Sequence, residues 1–299
     1  MLIMINEEMQ QPASTEMAAA RNAYRRPKLN NLQKASLFYL VSVPFLVMLL
    51  GFGVGHVNWQ WYLPAWLVNT LVMIAALQVL LKHRLSGGTI ITGATLLLIS
   101  PWIIFPVFAG MGRPPQTIQG WLDLVGEQHT RYSLLILGGV SAYLGTALLY
   151  KFLRYQENVF SAIGLGLMTL AMPLFVITMA YWGSFLSEAF RHFSTAERPD
   201  WYRAFQQLFL LIDTVGVSLI YLASAMFAIS LGRAGHFRPV AVRSYVAVSL
   251  CACLVNLIPP SAPVPFSVMS YVVAIPAIPL VMFYFMGINL LWAVQRIDE

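Results

Sequence analysis

Asp213 is the one acidic residue well inside an apolar stretch of this chain, in QQLFLLIDTVGVSLIYLASAMFAISLG. At helical spacing it shares about 140° of arc with Thr214, Ser218, Tyr221 and Ser224. A charged Asp at the centre of a membrane helix costs ~2.5–3.5 kcal/mol. It is kept only where it faces protein or water, so the stripe should face other helices and could contact an ion, a proton or a polar substrate. The competing expectation is a protonated or Arg-paired residue that joins helices.

A second group lies in YWGSFLSEAFRH. On a regular helix Tyr181, Ser184, Glu188 and His192 fall on one face. Glu188 and His192 are four residues apart and could touch one ligand, with Arg191 beside them. An ordinary solvated helix end with an i,i+4 pair explains the same residues. His56, His129, His192 and Glu127 gather with Glu188 at the same ends of their segments. Imidazole and carboxylate suit zinc or copper, but no HExxH, paired CxxC or other ligand spacing is present, so no metal is assigned. Haem would need a histidine inside an apolar segment, and none of the 5 is there. No cofactor is assigned.

The elements that must position these residues are membrane helices. Of 299 residues, 59% are hydrophobic and 10% charged, against ~45–50% and ~25% in soluble domains. Mean hydropathy is +0.70. This composition excludes a soluble enzyme, a coiled coil, a disordered protein and a disulfide scaffold. The 2 cysteines, Cys251 and Cys253, point apart on one helix and cannot bridge. The fold class is all-α, a polytopic bundle of eight transmembrane helices at about 36–55, 62–81, 88–110, 132–151, 160–187, 205–231, 240–258 and 266–294. Residues 1–34 read as a disordered cytoplasmic tail with no cleaved signal, and 35–299 as the membrane domain. Pro101, Pro106, Pro173, Pro276 and Pro279 fall inside the runs and predict kinks.

With the N-terminus inside, the cytoplasmic segments hold 13 of the 18 basic residues, among them Arg21, Arg25, Arg26, Lys28, Lys34, Lys151, Arg154, Arg233 and Arg238. The outer segments hold Arg113, Arg131, Arg191, Arg198 and Arg203. The positive-inside rule therefore puts both termini in the cytoplasm of a plasma (inner) membrane. Trp59, Trp61, Trp66, Trp201 and Trp292 fit its interfaces. The net charge of +6 belongs to this bias, and nucleic acid is not expected as a partner.

No motif of high specificity appears. Three classes fit: a transporter or permease for a small molecule or ion, with an outward-facing polar cavity; a non-catalytic membrane subunit or sensor; and a membrane enzyme with an outer His/Glu site. The first is preferred, with Asp213, Glu188, His192, Tyr181, Ser184, Thr214, Ser218 and Tyr221 as its ligand-binding residues. Consecutive spans joined by a short connection should pack together, which predicts that Glu188 and Asp213 open onto one pocket. The partners expected are the lipid bilayer, the small-molecule or ion ligand and, at this chain length, a second copy in a homodimer.

The topology is testable by labelling. Gly120→Cys and Ser194→Cys should react with an impermeant thiol reagent from outside intact cells. Reaction only after lysis would overturn the orientation.

Overall fold

In a computed structural model the chain is described over residues 29–81, 88–115, 117–194 and 199–293. Most of the expected 1–34 tail lies outside the described residues. The elements are α1 (Asn31–Gly53), α2 (Trp59–Leu81), α3 (Thr89–Ile99), α4 (Pro101–Ile104), α5 (Val107–Met111), α6 (Ile118–Asp123), α7 (Val125–Leu153), α8 (Val159–Ala180), a π segment (Tyr181–Phe185), α9 (Leu186–Phe193), α10 (Trp201–Arg233), α11 (Pro239–Asn256), α12 (Phe266–Ala274) and α13 (Ile278–Ala293). Every regular element among the described residues is helical. Seven helices are long and apolar enough to cross a membrane, or eight if α12 and α13, bent by 59°, form one broken span.

Local signals set the boundaries. At the start of α1, Asn30 Oδ1 accepts from the Gln33 amide at 2.8 Å and Gln33 Oε1 accepts from the Asn30 amide at 3.0 Å, which satisfies two otherwise orphaned donors. At α8, Glu157 accepts from the Phe160 and Ser161 amides at 3.2 and 3.3 Å. Desolvation pushes its pKa up, but these donors outweigh it and hold the carboxyl below the usual value.

The helices run alternately between two ends. His56 to Glu127, Trp121 to Ser187 and Phe193 to Tyr202 join loops and helix termini at one end. At the other, His236 bonds Gln156 at 2.9 Å and Arg233 lies over Phe160 at 4.2 Å.

At the centre stands α13. Leu280, Val281, Met282, Phe283 and Tyr284 are successive and all buried. Five residues at 100° steps cover the whole circumference, so this helix is enclosed by protein all round. It packs against α1, α3, α4, α7, α10 and α12. Close approach is allowed by Gly287, where a Cβ would lie 2.9 Å from Ile99 Cγ1. Small residues play the same part on α7. Gly138 faces Phe105, and a Cβ at Gly145 would meet Leu98 Cδ2 at 2.8 Å. Ala142 between them is fully buried. This is a small-xxx-small interface.

Helix breaks recur, and their freed carbonyls are caught. Pro44 lacks the N–H that would bond the Leu40 carbonyl; Tyr284 Oη donates to that oxygen at 2.7 Å. Pro101 likewise frees Leu97, whose carbonyl accepts from Ser100 Oγ at 3.1 Å and Ser141 Oγ at 3.3 Å. Where α12 ends, Tyr221 Oη donates to the Val273 carbonyl at 3.0 Å. Within hydrocarbon no water can do this.

Tyr284→Phe should lower stability by about 1–2 kcal/mol in reversible detergent unfolding, because it leaves the Leu40 carbonyl buried and bare. Adding Pro44→Ala restores the missing N–H and should recover most of that loss. An additive double mutant would refute the coupling.

Candidate functional site

Helix α10 has 33 residues, about 50 Å of length, while α11 with 18 residues extends only about 27 Å. The end of α11 is fixed against α10: Asn256 Nδ2 donates to the Thr214 carbonyl and to Ser218 Oγ, both at 2.9 Å. Asp213 is therefore level with the end of α11. About 30 Å of α10 separates it from Arg233, one hydrocarbon thickness. Asn256 is the tie that sets this level.

The polar stripe expected on α10 is largely consumed by its neighbours. Ser218 accepts from Asn256. Tyr221 is bonded to Val273. Ser224 Oγ meets Ser249 Oγ at 2.6 Å. Thr214 Oγ1 donates back to the Leu210 carbonyl at 2.8 Å. Asp213 is the exception: half-buried, it forms no hydrogen bond or ion pair among the described residues.

The second group divides. A π turn at Tyr181–Phe185 breaks the 3.6-residue register, so Tyr181 is buried while Ser184, Glu188 and His192 are exposed. Tyr181 stacks on Phe209 with centroids 4.1 Å apart, and Phe209 stands one turn from Asp213 on the same face of α10. Glu188 pairs with Arg191 at 2.9 Å on the surface of α9. The described contacts bring Tyr181 toward Asp213 and leave Glu188 and His192 on the exposed extension.

Residues not proposed as ligand-binding from the sequence complete this end. Gln128, Arg131, Tyr132 and Leu135 form the buried face of α7, a spacing of 3, 4 and 7 legible in GEQHTRYSLL. The same π turn places Gly183 against Tyr132, where a Cβ would lie 2.7 Å from Tyr132 Cβ. Trp121 covers Tyr132, stacked at 6.4 Å, and donates to Ser187 Oγ at 3.0 Å.

Arg131 is 5% exposed. Its Nη2 donates to the carbonyls of Met111 and Gly112 at 3.0 and 3.1 Å, and it lies 3.5 Å from Glu127. Glu127 in turn meets His56 Nε2 at 2.7 Å. This network clasps α7 to the loop after α1 and to the end of α5. Gly112 turns here at φ 62°, and a Cβ would come within 2.8 Å of the Gly55 carbonyl carbon, which reserves the position for glycine. Gln128 is fully buried, and both of its amide atoms find no partner among the described residues. His129 and His192 stand apart on exposed positions. Among the described residues no three His, Cys, Asp or Glu side chains gather where they could hold a metal ion.

No family model, curated protein or solved structure matches this chain.

Arg131→Met should destabilise the protein by roughly 2–4 kcal/mol in thermal or denaturant unfolding, since it strands two carbonyls and Glu127. Glu127→Gln in the same background should restore part of the loss by removing the uncompensated charge. Wild-type stability in the single variant would show that the clasp is idle.

Proposed function

We propose that this integral membrane protein is a transporter or permease for a small molecule or ion, and that Asp213 stands at its binding site. The observation that carries this is the bare carboxylate. It stands on a helix where Thr214, Ser218, Tyr221 and Ser224 are each bonded, level with the end of α11, and it has no partner among the described residues. A ligand that visits the site supplies that partner part of the time. Tyr181, Thr214, Ser218 and Tyr221 frame the site, and the exposed Ser184, Glu188 and His192 form its mouth.

Helix interruptions support the same reading. The third span is broken at Pro101 and Pro106, the fifth carries the π turn, and α12 meets α13 at 59°. Interrupted helices are where transporters bind and move. The charge count supports a cytoplasmic Arg233 end and an outward-facing Glu127 end in a plasma membrane.

Purified protein in liposomes on a solid-supported membrane should give transient currents when a substrate mixture or a pH jump is applied. Asp213→Asn should abolish them with expression and melting temperature near wild type, and Glu188→Gln should weaken the apparent affinity without abolishing them. Full currents from Asp213→Asn would refute the assignment.

A further inference from the structure

We infer that the lipid-facing side of α11 binds the headgroup of an anionic phospholipid through Arg243 and Ser244, at the Arg233 end of the bundle. The site is independent of the transport reading.

Helix α11 has two faces. Val242, Tyr245, Ser249, Cys253 and Asn256 recur every three or four residues and turn toward protein. A Cβ at Gly232 would meet Val242 Cγ2 at 2.5 Å, Tyr245 stacks on Phe237 at 5.6 Å, and Ser249 and Asn256 bond to α10. Opposite them Val240, Arg243, Ser244, Val248, Cys251 and Leu254 share about 140° of arc, and all are exposed. In an integral membrane protein this stripe meets lipid. Arg243 is the charged residue on it. The side chains of Arg243 and Ser244 form no hydrogen bond or ion pair among the described residues.

Depth sets these two side chains against headgroups. With 18 residues, α11 is about 27 Å long and no longer than the ~30 Å hydrocarbon core. Arg243 stands about 6 Å from its start at Pro239. Its guanidinium must reach back along the stripe to the boundary of the hydrocarbon. There its planar fork matches two oxygens of a phosphate. Ser244 Oγ, about 100° further round the helix, can donate to the same group. Acyl chains then lie along Val248, Cys251 and Leu254.

The surrounding charge selects an anionic lipid over a zwitterionic one. Lys151 and Arg154 end α7, Arg233 ends α10 and Arg238 precedes α11. The Gly232–Val242 contact puts Arg233 and Arg243 at one level. Arg154 lies over the Tyr155 ring at 4.5 Å and Arg233 over Phe160 at 4.2 Å, and neither pairs with a carboxylate among the described residues. Glu157, the acid described at this end, is turned to the Phe160 and Ser161 amides. This surplus repels the ammonium of a zwitterionic headgroup and adds to the attraction of one with net negative charge.

The test titrates the full-length protein in detergent with dioleoylphosphatidylglycerol or dioleoylphosphatidylcholine and reads adducts by native mass spectrometry. Phosphatidylglycerol should bind about fivefold or more tightly than phosphatidylcholine. Arg243→Gln should weaken phosphatidylglycerol binding about fivefold or more, and Arg243→Lys should keep part of it. Arg203→Gln removes an exposed charge from the opposite end of α10 and should change nothing. Excess inorganic phosphate should leave the lipid in place. Equal affinity for the two lipids, wild-type affinity in Arg243→Gln, an equal loss in Arg203→Gln, or displacement by phosphate overturns the inference. So does a doubled mass that replaces the lipid adducts and disappears in Arg243→Gln, since the stripe would then belong to a second copy. Should Arg243→Gln fail to fold, Arg243→Lys combined with Ser244→Ala takes its place, and wild-type affinity there overturns the inference equally. Loss of lipid binding leaves the transport reading standing, and absent currents leave this site standing.

Discussion

The hydrogen bond from Tyr284 to the Leu40 carbonyl joins the fully enclosed α13 to the first helix, and the reason for it governs the bundle. A proline inside a helix leaves a carbonyl without a donor. In water such a group is solvated at little cost. Within hydrocarbon it must be met by protein. Three breaks in this protein are therefore fixed points: Leu40 with Tyr284, Leu97 with Ser100 and Ser141, Val273 with Tyr221. The irregular backbone and the packing are one problem, solved by hydroxyl groups on neighbouring spans.

The same accounting explains why one carboxylate stands out. Asn256 fixes the end of α11 to α10, and Ser218, Tyr221 and Ser224 each complete a bond to another helix or its terminus. Beside those bonded groups of α10, Asp213 remains. A π turn reorders the neighbouring span. It shifts the register of the fifth span so that Tyr181 turns inward over Phe209 and Gly183 admits Tyr132, while Glu188 turns outward to Arg191. An uninterrupted helix would have kept Tyr181 and Glu188 on one side.

At the Glu127 end, the buried Arg131 ties the rim together. Two backbone carbonyls and a carboxylate converge on one guanidinium, and Trp121 caps the adjacent Tyr132. The exposed leucines, valines and phenylalanines on α1, α2 and α12 belong to lipid, which separates the anchoring surface from the polar interior.

Composition and hydropathy alone determined the class. Apolar runs of about membrane length can only be helices, because no other open structure satisfies its backbone in hydrocarbon; the structure has seven such helices among the described residues, or eight if α12 and α13 form one broken span. The cost of an intramembrane carboxylate singled out Asp213 without any coordinates. Tertiary structure decided the rest, because the deciding terms lie between helices. Hydropathy is uniform along α13, so nothing in its sequence marks it as the enclosed helix. The spacing of Tyr181 and Glu188 implied one face, and a single π turn, packed against Tyr132 and Phe209, divided them. Thr214, Ser218 and Tyr221 looked free because hydrogen-bond partners such as Asn256 and Val273 are tens of residues away. Arg131 looked like a loop charge, and only the convergence of Met111, Gly112 and Glu127 makes its burial affordable.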